Sequence, residues 1–366
     1  MGTADMGRYR NLVLKGGGVR GIAYLGALES LAKHRVLGDI QRVAGSSVGA
    51  ITAVLAALYP SFDDIKTIAD SLDYTLVPSS GMPAKEKESP SEKQFLVIRP
   101  ILEKIEPLMG NVQNLRRLVQ NYGWYSSDYV YRWLQNNIAP QFTVKKEAYT
   151  FADFRDPSIH RDRRPFKDLY VTGTDISHRR IRVFSYETTP DMEVAYAVRI
   201  SMSIPFFFEA LPYQYPGDGE THQWADGGVL WNFPLTLFDD PQYNRKSSGG
   251  INPETLGLFL FTSPEHTDYD RIDTMMDYMN ALFDSLLLVQ DQLILYNEQN
   301  KERVIFIDDT GVPTKEFNIQ PGDGTYQRLY DSGYGATEDF FSQRARWDDI
   351  IRRIQNRFGW KVSTYQ

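Results

Sequence analysis

Two stretches near the N-terminus, NLVLKGGGVRGIAYLGALESL (residues 11–31) and IQRVAGSSVGAITAVLAAL (residues 40–58), decide the fold. In the first, Asn11–Lys15 is a short apolar run, Gly16–Gly21 is rich in glycine, and Ile22–Leu31 carries apolar residues at helical spacing. That order reads as strand, tight turn and helix. The second stretch repeats it, with a strand over Ile40–Ala44, a turn over Gly45–Gly49 and a helix over Ala50–Leu58. Two such units in succession predict a mainly parallel sheet covered by helices.

Downstream, residues Val77–Lys93 carry three prolines and mixed charges and read as a long surface loop, a solvated insertion or a lid. Helices are expected over Val97–Pro107, Val112–Val119 and Ser127–Asn137. A hairpin follows over Leu169–Thr174 and Arg180–Ser185, then a helix over Met192–Met202 and buried strands over Leu256–Thr262 and Val304–Ile307. Ile272, Met275, Met276, Met279, Leu282, Phe283 and Leu286 form a helical stripe that reads as core. The tail, residues 311–366, reads as an appendage ending in an amphipathic helix over Ala336–Phe358.

Composition narrows the function. Of 366 residues 42% are hydrophobic and 24% charged, as in ordinary globular proteins. Lys and Arg number 40 against 47 Asp and Glu, a net charge of −7 that gives no footing to nucleic-acid binding. The chain has no cysteine, which excludes disulfides, thiolate metal sites and a thiol nucleophile. No apolar run approaches the roughly 18 residues of a membrane span. The first residues lack the basic and apolar regions of a secretory signal. Cytoplasmic residence with action at a membrane surface is the default expectation, and export as an effector stays open.

Three motifs carry chemistry. Gly45-Ser46-Ser47-Val48-Gly49 matches G-x-S-x-G between a strand and a helix, the setting of a nucleophile elbow. Gly16-Gly17-Gly18-Val19-Arg20-Gly21 can aim main-chain N–H groups into one concavity, a nest for a phosphate or an oxyanion. It also fits G-x-G-x-x-G, but the acidic partner that a dinucleotide needs is missing from the end of the second strand, where the serine elbow lies instead. Asp226-Gly227-Gly228 supplies a carboxylate in a turn. A serine needs a base. His34, His160, His178 and His222 precede Asp226, and His266 alone follows it, as a Ser-acid-His order would require. The elbow comes too early in the chain for the α/β-hydrolase fold, which has that order but builds several strands before its serine, so a carboxylate acting directly on the serine is the better reading.

The glycine loop, the elbow and the distant D-G-G, in this order and spacing, resemble the patatin-like phospholipase family. The resemblance extends over about residues 8–310 and includes Ser201-Met202-Ser203-Ile204-Pro205 and Ala225-Asp226-Gly227-Gly228. It implies a three-layer α/β/α sandwich and a Ser–Asp dyad lipid acyl hydrolase, most readily a phospholipase A, that needs no cofactor. It makes Ser47 the nucleophile, Asp226 the base, and the N–H groups of Gly16, Gly17 and Gly18 the oxyanion hole. Arg20 would brace the loop or meet a lipid phosphate, with Gly21, Gly45, Gly49, Gly227 and Gly228 in support. Lys15 stands where many members carry a small or acidic residue. The expected partner is a membrane phospholipid or other lipid ester, with peripheral membrane contact and an unknown activator as a further possibility. Phe206, Phe207, Phe208, Trp224 and Trp231 are candidates for an acyl channel, although core packing suits the phenylalanines better. The alternatives are an esterase or acyltransferase with the same dyad, and a non-catalytic phosphate- or nucleotide-binding protein. An ordinary Asp, with a pKa of about 3.9, is a weak base at neutrality.

Overall fold

Apolar side chains that alternate between two faces build the centre of the molecule. The computed structural model describes residues 9–79, 112–244, 250–263, 266, 271–295, 297–300 and 302–342. Its strands are β1 (Asn11–Leu14), β2 (Arg42–Gly45), β3 (Gly123–Tyr125), β4 (Asp168–Asp175), β5 (Arg180–Phe184), β6 (Phe206–Phe208), β7 (Leu211–Tyr213), β8 (His222–Asp226), β9 (Thr255–Phe261) and β10 (Val304–Asp308). The main sheet runs β10-β9-β1-β2-β4-β8-β7, with β5 paired to β4. From β10 to β4 every neighbour is parallel, whereas β8, β7 and β5 run antiparallel. Strands β3 and β6 form a separate parallel pair.

The helices of eight residues or more are α1 (Ile22–Lys33), α2 (Val48–Leu58), α3 (Phe62–Asp70), α4 (Val112–Asn121), α5 (Asp128–Ile138), α6 (Val194–Ser201), α7 (Met275–Leu295) and α8 (Gly324–Phe341). Leu12, Leu14, Val43, Leu258, Leu260, Ile305 and Ile307 turn to the face covered by α1, α2 and α8. The alternate residues Val13, Ala44, Tyr170, Phe259 and Phe306 pack on the other face against Phe233, Leu235 and Phe238. Side chains pointing alternately to opposite faces give this division. The architecture is the expected mixed α/β sandwich. No described helix is long and apolar enough to cross a membrane.

Two expectations change. The stripe on α7 is not core: Met275, Leu282 and Leu286 are 59%, 51% and 49% exposed, and among the described side chains of that series Phe283 alone is buried. Helix α7 instead turns polar residues inward, as described below. The tail does not hang free of the sandwich, because α8 begins at Gly324 and packs along α1. Gly26 and Gly333 allow the approach, since a Cβ on either would overlap backbone of the facing helix. Ser30 and His34 also meet Glu338 across that contact. The Val97–Pro107 helix, most of the Val77–Lys93 loop and the Ala336–Phe358 helix beyond Ser342 lie outside the described residues.

Candidate active site

Strand register brings two distant motifs together. On β4, Val171 pairs with Gly45 at the end of β2, and Gly173 pairs with Asp226 at the end of β8. These β4 positions are two apart and share a face of the pleat. Ser47, two residues beyond Gly45, therefore emerges beside Asp226. Ser47 has φ 54° and ψ −127°, a strained conformation for a residue with a side chain. The turn is tight enough to require both flanking glycines: a Cβ at Gly45 would overlap the Gly49 carbonyl, and one at Gly49 would lie 2.7 Å from the Lys15 carbonyl oxygen. Gly21 lets the glycine loop close on Val48 in the same way.

The segment that ends α6 holds both sides of the site. The Ser47 N–H donates to Ser201 Oγ at 3.0 Å, the Gly227 N–H to the Ser201 carbonyl at 3.2 Å, and the Asp226 N–H to the Ser203 carbonyl at 2.8 Å. Thr174 Oγ1 donates to the Asp226 carbonyl at 2.9 Å. Ser201 is fully buried, so this clamp is shielded from water.

Asp226 is 1% exposed, and its Oδ1 accepts from the Gly228 N–H at 2.6 Å. Its Oδ2 is buried without a hydrogen-bond partner, as are the nearby Ser46 Oγ and Asn232 Nδ2. Burial disfavours the charged carboxylate and pushes its pKa up to about 7, against the pull of the Gly228 N–H and the Ser47 hydroxyl. The Ser47 hydroxyl is thus near enough to act on the carboxyl, although its geometry falls short of a formed hydrogen bond. The environment makes Asp226 a better base at neutrality than an ordinary Asp. Buried polar groups without partners are rare and call for a functional account.

Of the three glycine N–H groups expected to face an oxyanion, Gly16 is already engaged. It donates to the Asn232 carbonyl at 3.0 Å, so the set is corrected to Gly17 and Gly18, whose N–H groups have no partner among the described residues. Gly18 has φ +59°, which glycine adopts freely. Arg20 takes the bracing role: its guanidinium bonds the Gly17 carbonyl at 3.1 Å, Thr262 Oγ1 at 3.2 Å, the Asp309 carboxylate and the Thr314 hydroxyl. Lys15 points away from the site as a buried partner of Asp291 on α7, at 2.7 Å. Gln290, beside Asp291, bonds the Gly228 and Val229 carbonyls and receives the Asn232 N–H. Helix α7 is therefore tied by its polar side to both catalytic-loop candidates.

A pocket of about 730 Å³, its open side included, lies against Ser47. Its walls include Val48, Ile51 and Leu55 of α2, with Trp133, Met202 and Phe208. Of the channel candidates only Phe208 lines it. Phe207 stacks on Phe317, Trp224 is buried in the core against Phe184, and Phe206 is exposed. Among the described residues no histidine bonds Ser47 or Asp226. His266 lies against Gly311, His160 is buried against Phe166, and His34 pairs with Glu338. The sequence reading missed Ser201 as a clamp, Asn232 and Gln290. Only the helical spacing of Val48, Ile51 and Leu55, one turn after the other behind Ser47, offered a signal for the pocket wall.

The family model described as "Patatin-like phospholipase" matches residues 12–239. An uncharacterized protein of Acanthamoeba polyphaga mimivirus is 28% identical over 233 residues, which are 63% of this chain and 62% of the viral protein, so the match spans less than two thirds of that relative. "Probable lipid hydrolase 463L" of Invertebrate iridescent virus 6 is 26% identical over 251 residues, 68% of this chain and 70% of its own length. VipD from Legionella pneumophila superposes with a TM-score of 0.54 at 21% identity, covering 92% of this chain and 67% of VipD, a likeness of fold.

Proposed function

Since the chain belongs to the patatin-like phospholipase family, we propose that it is a lipid acyl hydrolase of the phospholipase A type, working through Ser47 and Asp226. The observation that carries this reading is the strained Ser47 elbow, set between a buried carboxylate of raised pKa and an apolar pocket. Asp226 Oδ2 takes the Ser47 hydroxyl proton as Oγ attacks the ester carbonyl. The Gly17 and Gly18 N–H groups receive the negative charge that develops on the carbonyl oxygen, and one such donor is worth about 2.7–4 kcal/mol in other hydrolases. Collapse of the tetrahedral intermediate breaks the ester C–O bond, and the leaving alcohol takes the proton from Asp226. Water then attacks the acyl-enzyme with Asp226 again as base, releasing the fatty acid and restoring Ser47.

The acyl chain fits the apolar pocket, whose wall begins at Val48 directly after the nucleophile. Exposed apolar residues on α7, Met275, Tyr278, Leu282, Leu286, Val289 and Leu293, recur every three or four positions and form one stripe. A stripe of this kind suits insertion into the boundary of a bilayer. The tie of α7 to the Gly228 turn through Gln290 would bring that surface to the site. The phosphate-binding alternative gains little, since Arg20 is committed to Asp309 and Thr314 and Gly16 to Asn232.

The test is fatty-acid release from mixed phospholipid vesicles by wild type, Ser47→Ala and Asp226→Asn, each checked for folding, with fluorophosphonate labelling of the same samples. Loss of release in both variants, and labelling that requires Ser47, are expected. Release that survives both substitutions would sink the mechanism, and transfer of the acyl group to an added alcohol in preference to water would favour the acyltransferase reading.

A further inference from the structure

Away from the pocket, four side chains from two turns point their ligating atoms at one spot. Asp175 ends β4 and His178 follows in the turn to β5, while Asp218 lies between β7 and β8 and His222 begins β8. His222 Nδ1 lies 2.9 Å from Asp175 Oδ2, and His178 Nδ1 lies 3.1 Å from the same oxygen. The two imidazole Nδ1 atoms are 3.2 Å apart, and His222 Nδ1 is 3.6 Å from Asp218 Oδ2. All four ligating atoms fall within 4.8 Å of one another.

Hydrogen bonding alone accounts poorly for this arrangement. If both Nδ1 atoms donated to Asp175 Oδ2, two N–H groups would converge on one oxygen with their nitrogens only 3.2 Å apart. Asp218 Oδ2 is buried without a hydrogen-bond partner. Among the described residues, Arg182 lies near it with Nη2 at 3.6 Å, too far for a hydrogen bond. A tetrahedral zinc ion with bonds of about 2.0–2.2 Å to imidazole nitrogen and carboxylate oxygen places its ligand atoms about 3.3 Å apart. Four of the six separations, at 2.9, 3.1, 3.2 and 3.6 Å, bracket that edge length, and the other two stay within 4.8 Å.

We propose that Asp175, His178, Asp218 and His222 form a structural site for a divalent transition-metal ion, with zinc as the best match. Two imidazoles and two carboxylates suit zinc over magnesium or calcium, which favour all-oxygen sets. Four protein ligands leave no open position, so the ion clamps the fold and performs no chemistry. The surroundings are organised for this: the His178 backbone N–H donates to Asp175 Oδ1 at 3.1 Å, which leaves Oδ2 facing the centre. His178 is the half-exposed ligand and gives an ion its way in, whereas Asp175 and His222 are buried. The clamp joins the β4–β5 turn to the start of β8, the strand that ends at Asp226. It does not depend on the assignment of Ser47 and Asp226.

Chelator-stripped full-length protein should be titrated with zinc chloride against a chromogenic chelator, alongside His178→Gln and Asp218→Asn. These two ligands are the more exposed, so both variants should keep the wild-type circular dichroism. The expected result is one equivalent of zinc per wild-type chain, affinity at least about a hundredfold weaker in each variant, and a zinc-dependent rise in melting temperature confined to wild type. Zinc binding that is absent from wild type, or equal in wild type and variants, would overturn the site. Displacement of zinc by equimolar magnesium chloride would overturn the assignment of the ligands.

Discussion

The buried carboxyl of Asp226 should make the wild-type protein less stable as the pH rises. Its pKa is near 3.8 when the chain is unfolded and about 7 when burial surrounds it. At about pH 4 and below, the group is mostly neutral in both states and takes little from stability. Between about pH 4 and 7 the unfolded chain releases the proton while the folded protein retains it, so stability falls as pH rises and levels off above 7. The gap of about three units, at about 1.4 kcal/mol each, sets a ceiling of about 4 kcal/mol. Asp226→Asn keeps an oxygen for the Gly228 N–H and removes the charge. At about pH 8 it should therefore be about 2–4 kcal/mol more stable than wild type, with the advantage vanishing near pH 4. Urea denaturation of both proteins across this range reads the difference directly, and titrations common to the pair cancel. The same carboxyl predicts that wild-type kcat/KM rises with pH around an apparent pKa near 7 and that the stabilised variant is inactive. An Asp226→Asn protein no more stable than wild type at about pH 8 would refute the argument from desolvation, whatever its activity.

Three further outcomes follow from the geometry. Ser201→Ala removes the acceptor of the Ser47 N–H and should cost about 1–3 kcal/mol in urea denaturation; kcat should fall with KM little changed, because the nucleophile and not the pocket is disturbed. Leu55→Trp fills the pocket wall on α2 and should shift hydrolysis toward shorter acyl esters by at least about tenfold, read by competing ester chain lengths. Leu282→Glu with Leu286→Glu breaks the exposed α7 stripe and should weaken vesicle sedimentation by about tenfold or more, while hydrolysis of a water-soluble ester stays at the wild-type rate.

The two N-terminal units could be read because each places its turn glycines and its apolar period within about 20 consecutive residues. Motif chemistry singles out Ser47 and Asp226, but what puts them side by side is the β4 register at Val171 and Gly173, which no local pattern encodes. The same limit explains Gly16. Its N–H looks available until Asn232, more than 200 positions away, is seen to accept it. Apolar spacing looks the same in core and surface helices, so the spacing on α7 alone places Met275 and Leu286 on the wrong side. The cue that separates the cases is polar: Gln290 and Asp291 supply the buried bonds that fix which face turns inward. His178 and His222 stood in polar turns 44 positions apart, and only the pairing of β4 with β8 makes them neighbours.

The order of the strands also bears on how the protein is made. Strand β1 lies between β2 and β9; the first is translated soon after it and the second some 240 residues later. The Gly16–Gly21 loop at its end is secured by Asp309 and Thr314 through Arg20 and the Val19 N–H. A nascent chain that ends before β9 thus carries Ser47, the proposed nucleophile, with neither the neighbouring strand nor the loop supports in place. Synthesis itself delays the assembly of the site until most of the polypeptide has left the ribosome, so an incomplete product presents Ser47 beside a glycine loop that Asp309 and Thr314 do not yet hold.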